Sequence, residues 1–128
     1  MKAWNFLRMA EGAVPARPDR PATTIVHDSP EVRVVLFRLL PQQEVPLHES
    51  PSAVLLSVLS GSGAFTHAQG ERQVVAGDAA AFERGERHGM RASDEVFVVL
   101  ATITPRPGAR QPTRVQPTDV SASRVVPT

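Results

Sequence analysis

Two histidines stand where chemistry is possible, His48 in "PLHESPS" and His88 in "ERGERHGM". Neutral imidazole is a metal ligand and also an acid–base group titrating near ~6.5, so two of them in one cavity would suit either use. A metal asks for more, because protein sites for divalent ions use about three or four ligands. Glu49 beside His48 and Glu86 two places before His88 are the possible rescue ligands. Imidazole and carboxylate donors together would suit Zn, Fe, Ni, Mn or Cu. Cysteine is absent, which removes zinc–thiolate sites, disulfides and thiol nucleophiles. No Gly-x-Gly-x-x-Gly turn, Walker loop or Gly-x-Ser-x-Gly elbow is present, and "SGSG" is a turn with no helix after it to cradle a phosphate.

The elements that must position these residues are short and extended. Apolar runs at 23–27, 31–40, 52–60, 64–68, 72–76, 78–82 and 95–103 are rich in Val, Leu, Ile, Phe and Thr. Turn chemistry separates them: Asp-Ser-Pro, Gly-Ser-Gly, Gln-Gly, Ala-Gly-Asp and Ala-Ser-Asp. Strands at this spacing, with almost no pattern of helical length, predict an all-β sandwich or barrel. Only "KAWNFLRMAE" offers a short helix, and it reads equally well as a strand. A chain of 128 residues fits one domain with its own core. We divide it into an N-terminal arm or linker (1–22), a β-barrel domain (23–104) and an extended or disordered tail (105–128) rich in Pro and Arg.

Strand alternation then assigns faces. Val32, Val34 and Leu36 point one way and Val35, Phe37 and Leu39 the other, so both faces of this strand need cover. Another sheet or a partner subunit would supply it, and a homodimer is the expectation. Positions 48 and 50 share a side, which leaves Glu49 on the other unless a bulge turns it. Val54, Leu56 and Val58 would line the interior with hydrocarbon, and Met90 should share the face of His88. Arg38 interrupts an apolar row and would anchor an anionic ligand or bridge to a partner. A pocket of Ser50, Val54, Phe82, Met90 and Arg38 around the histidines follows. His67 reads as an exposed strand residue, His27 as a turn residue without a role, and Trp4 as simple packing.

Residues 31–104 resemble the cupins, small conserved jelly-roll barrels with two motifs, G-x5-H-x-H-x3,4-E-x6-G and G-x5-P-x-G-x2-H-x3-N. Gly77, Gly85 and His88 match the second motif, while Glu83 and Ala92 replace its proline and asparagine. His48 and Gly61 match the first. Gln42 stands for its opening glycine, Ser50 for its second histidine and Val54 for its glutamate. The resemblance implies a barrel that works on small molecules, as a dioxygenase, isomerase, epimerase, decarboxylase or ligand sensor. It implies metal ligation through His48 and His88, with two of the four usual ligands missing. Two uses follow: an incompletely liganded metal-dependent enzyme, or a metal-free module that binds a small organic ligand.

The remaining features concern location and partners. The formal charge of +1 hides a tail in which Arg106, Arg110, Arg114 and Arg124 face only Asp119. No aromatic residues are interleaved with them, so nucleic acid is an unlikely partner and a solubilising terminus the plainer reading. Asn5, Arg8 and Glu11 interrupt the apolar residues at the start, which argues against a signal peptide. No run approaches the ~18 apolar residues of a membrane span. A cytoplasmic protein is expected.

Overall fold

Every apolar run named above forms a strand, and two further strands join them. A computed structural model describes residues 1–108 and contains α1 (Phe6–Glu11) and strands β1 (Ala22–Asp28), β2 (Arg33–Leu39), β3 (Glu44–His48), β4 (Ala53–Ser60), β5 (Ser62–His67), β6 (Gly70–Val75), β7 (Ala79–Phe82), β8 (His88–Ala92) and β9 (Phe97–Thr104). Of the tail read as extended, residues 109–128 lie outside that description. The added strands, β3 and β8, are the ones that carry His48 and His88. "EVPLH" contains a proline and "HGMRA" a glycine and an arginine, so neither has the β-branched run that marks a strand in sequence.

Two antiparallel sheets face each other, one ordered β1-β2-β9-β4-β7 and the other β3-β8-β5-β6. The inward rows fill the space between them. Leu39, Phe65, Phe97 and Val99 are at most 2 % exposed, and Val54, Leu56 and Val58 form the expected interior row. Burying each such side chain contributes about 1.5–3 kcal/mol. This is the all-β arrangement that the strand spacing predicts, in the jelly-roll form that the resemblance implies. No helix among the described residues is long and apolar enough to cross a membrane.

The outer face of β2 finds its cover within the same chain. Asn5 caps α1 by accepting a hydrogen bond from the Arg8 amide at 2.9 Å, and Phe6, Met9 and Ala10 form the apolar stripe of the helix. That stripe packs on Leu36 and Val98. Trp4 stacks on Phe6 and tilts against His27, with ring centroids 6.4 and 5.7 Å apart. The two-sided apolar pattern of β2 therefore reports an internal helix, and it carries no information about a partner subunit.

Gln42 occupies the place of the family's opening glycine and adopts φ 70, the left-handed region that glycine enters freely. Its amide and its side-chain Nε2 both donate to the Ser93 carbonyl, at 3.0 and 3.1 Å, and Nε2 also donates to Asp94 at 3.0 Å. Those bonds offset a strain of about 1–3 kcal/mol. Gly63 is needed for space instead of dihedral freedom. A Cβ there would lie 2.8 Å from Cε2 of the fully buried Phe97 and nearer still to the Arg91 carbonyl oxygen. Gly63→Ala should destabilise the fold by about 1–3 kcal/mol through overpacking. Urea unfolding measures this, and a midpoint equal to that of the wild type would contradict the packing described.

Candidate ligand-binding site

At one end of the sandwich β3 and β9 finish, while β2, β4 and β8 begin. A cavity of about 290 Å³ lies there. Its walls are hydrocarbon from Phe37, Val54, Leu56, Met90 and Ile103, and its polar side chains are His48, His88, Arg33, Glu49 and Ser50.

His48 reaches the cavity because β3 carries an extra residue. Val45 pairs with Met90 and His48 with His88, three steps on one strand against two on the other. Simple alternation would put Val45 and His48 on opposite faces. The bulge at Pro46 and Leu47 turns both inward, and both line the cavity. The strand is an edge, so the missing N–H of Pro46 costs no interior ladder bond.

The two imidazoles lie with ring centroids 4.4 Å apart, tilted by 57°. Phe82 stacks on the other side of His88 at 5.0 Å. Nδ1 of His48 is 2.9 Å from the Pro46 carbonyl oxygen, and Nδ1 of His88 is 3.1 Å from that of Glu86. A carbonyl only accepts, so each Nδ1 carries the hydrogen and each neutral ring keeps its lone pair on Nε2. His48 is exposed at the rim, whereas His88 is 5 % exposed. Burial lowers the pKa of His88 beneath the usual 6.5; the Glu86 carbonyl opposes this and the neighbouring His48 adds to it. The inner ring is therefore neutral at pH 7 and presents an acceptor.

The loops that carry the two histidines are tied together. The Gly85 amide donates to the Ser50 carbonyl at 2.8 Å, and Ser50 Oγ accepts from the Ser52 amide at 3.1 Å. Ser52, which the sequence does not mark, is 2 % exposed and donates to the Pro105 carbonyl at 2.6 Å. Glu86 braces this loop. Its Oε1 accepts from the Glu83 amide at 2.7 Å, while its backbone carbonyl holds His88.

Two expectations for the pocket need correction. Arg38 lies on the outer face in a groove with Leu7, Ala10 and Val98, because it shares the parity of Leu36. The arginine at the cavity is Arg33, which shares the parity of Val35 and Phe37 and which its place at the start of the strand left unmarked. Phe82 belongs to the core cluster and meets the site only through the ring of His88. His67 is the direct cross-strand neighbour of His88 on β5, yet its Nδ1 lies 3.1 Å from Oε1 of Gln69 and the ring does not line the cavity.

A cupin model, described as "Cupin domain", matches residues 35–103, more than half of the chain. The chain belongs to the cupin family. Solved structures agree in fold. An RmlC-like cupin protein from Desulfovibrio desulfuricans is 29% identical with a TM-score of 0.71, covering 82% of this chain and 97% of that one. The protein TT1209 from Thermus thermophilus is 26% identical with a TM-score of 0.74, covering 84% and 100%. An uncharacterised conserved protein with a double-stranded β-helix domain from Klebsiella pneumoniae is 23% identical with a TM-score of 0.73, covering 86% and 94%. A search of curated proteins gives no match.

Cupins imply a metal, and the donor set here does not fit one. Ser50 and Val54 occupy two of the ligand places, and Val54 puts hydrocarbon there. Among the described residues no three His, Asp or Glu side chains gather to hold an ion. Glu49 stands on the rim of the same cavity without completing such a set.

The lowered pKa of His88 fixes a sign. Below 6.5 the unfolded chain takes up a proton that the folded chain refuses, so stability falls as the pH drops from 6.5 through the folded value and then levels. Urea midpoints taken from about pH 8 to about pH 5 should decline on acidification, and less steeply in His88→Gln. Equal slopes in the two proteins would remove the claim.

Proposed function

We propose that this cupin binds a small organic molecule in the His48–His88 cavity, without a resident metal. One observation carries the reading. Both imidazoles have Nδ1 committed to backbone carbonyls, so two Nε2 acceptors are fixed within a largely hydrocarbon wall where, among the described residues, no third ligand gathers. A low-dielectric wall strengthens hydrogen bonds to these acceptors, and a ligand hydroxyl or N–H is the group they would take. A cavity of about 290 Å³ limits the ligand to a small molecule, at the lower end of the usual range of about 300–1,000 Å³.

Imidazoles also supply acid–base capacity, which suits an isomerase or lyase as well as a sensor. Fold alone does not choose among these, and binding is the part that the geometry supports.

Protein purified without a histidine tag should hold less than about a tenth of an equivalent of Zn, Fe, Ni, Mn or Cu by elemental analysis. The double change His48→Ala and His88→Ala should leave that content unaltered. A stoichiometric metal lost in the double variant would reject the proposal. In a thermal-shift screen of metabolites without added metal, a true ligand at about a hundredfold its Kd adds about 2.7 kcal/mol of stability, and His48→Ala should weaken that gain.

A further inference from the structure

Arg33 belongs to an inward row that otherwise reads Val35, Phe37 and Leu39, and it reaches the same cavity as His48 and His88. A guanidinium beside an apolar wall needs a partner that holds it in place. Asp28, on the adjoining strand β1, provides it. Nε and Nη2 of Arg33 donate to the two oxygens of that carboxylate at 3.3 and 3.1 Å. Such a two-point contact fixes the plane of the guanidinium. It uses two of the five N–H donors, and among the described residues the hydrogens of Nη1 meet no protein acceptor.

Asp28 is also shared. Nε of Arg106 lies 3.8 Å from the same carboxylate, so one anion faces two cations at the edge of the mouth. The loop leaving the facing sheet contributes one opposing charge, Glu49, which is exposed on the rim. Charges of both signs thus stand near the entrance, and among the described residues Arg33 is the guanidinium that lines the cavity.

We infer that the ligand of this cavity carries a single negative charge of the carboxylate type, held by Arg33, on a small apolar body resting against Phe37, Val54 and Ile103. The inference rests on the binding reading above and names the ligand class for the same cavity. A second negative charge would meet Glu49 and Asp28 with, among the described residues, no further cation lining the cavity to receive it, so a monoanion is favoured over a dianion.

The test uses the full chain at neutral pH with hexanoate, its uncharged isostere hexanamide, and the dianion adipate, each titrated by calorimetry. Hexanoate should bind about tenfold or more tightly than hexanamide, since a charge-assisted pair is roughly twice as strong as a neutral one. Adipate should bind more weakly than hexanoate. Arg33→Gln should bring the acid-to-amide ratio to about one. Asp28→Asn breaks the same ion pair but keeps the guanidinium, so it should retain the preference and thereby separate ligand contact from loss of a structural bridge. Equal binding of acid and amide by the wild type, or a preference that survives Arg33→Gln, overturns the charge assignment while leaving the cavity a binding site. Binding of neither probe removes both readings together.

Discussion

The site depends on one irregularity in hydrogen bonding, the extra residue that β3 inserts against β8. Regular pairing would place Val45 and His48 on opposite faces, and the family's first histidine would point to solvent. The bulge at Pro46 and Leu47 restores His48 to the inside and sets it directly beside His88. An edge strand is where this is cheap, because one of its sides has no ladder to disrupt. Ser50, Ser52 and Gly85 then knit the adjoining loops, so the two rings are positioned from three sides.

Backbone geometry also decides what the rings offer. The carbonyls of Pro46 and Glu86 each take an Nδ1 hydrogen, which leaves both Nε2 lone pairs unspent. In a family built for metal this would be half of a coordination sphere. Here the other half is gone in a particular way. Val54 replaces a charged ligand with a methyl-bearing wall, and Ser50 turns its hydroxyl oxygen to a local amide. The same cavity is lined by Arg33, whose guanidinium is held by Asp28. Hydrocarbon, two acceptors and one cation are what the proposed ligand would meet there.

Much of the fold was legible because inside and outside alternate along β4, and β9 is apolar on both faces. Val54, Leu56 and Val58, with Phe97, Val99 and Ala101, announce a two-layer interior through their spacing alone. Strands β3 and β8 were not legible, because their composition is poor in strand formers and their pairing comes from neighbours. Arg38 and Arg33 were no easier to tell apart. Both interrupt the same apolar strand, and only counting parity outward from Val35 distinguishes the inner from the outer one. The stretch that forms α1 reads equally as helix or strand, and nothing local says that it covers Leu36.

The sequence by itself determined the class of fold, the placing of most strands, the two histidines at the motif positions and the residues that replace the motif's other ligands. These are properties of residue type and spacing, and local sterics and hydrophobic periodicity express them without reference to distant parts of the chain. Tertiary structure alone decided which rings meet, which tautomer each adopts, that His88 is buried while His48 is not, and that Arg33 enters the cavity. Each of those outcomes turns on contacts between segments that meet only in the fold, such as the register of β3 on β8 or the reach of Asp28 to Arg33 across a hairpin. A one-residue change of register reverses every side chain along a strand, and sequence periodicity carries no record of where such a slip occurs.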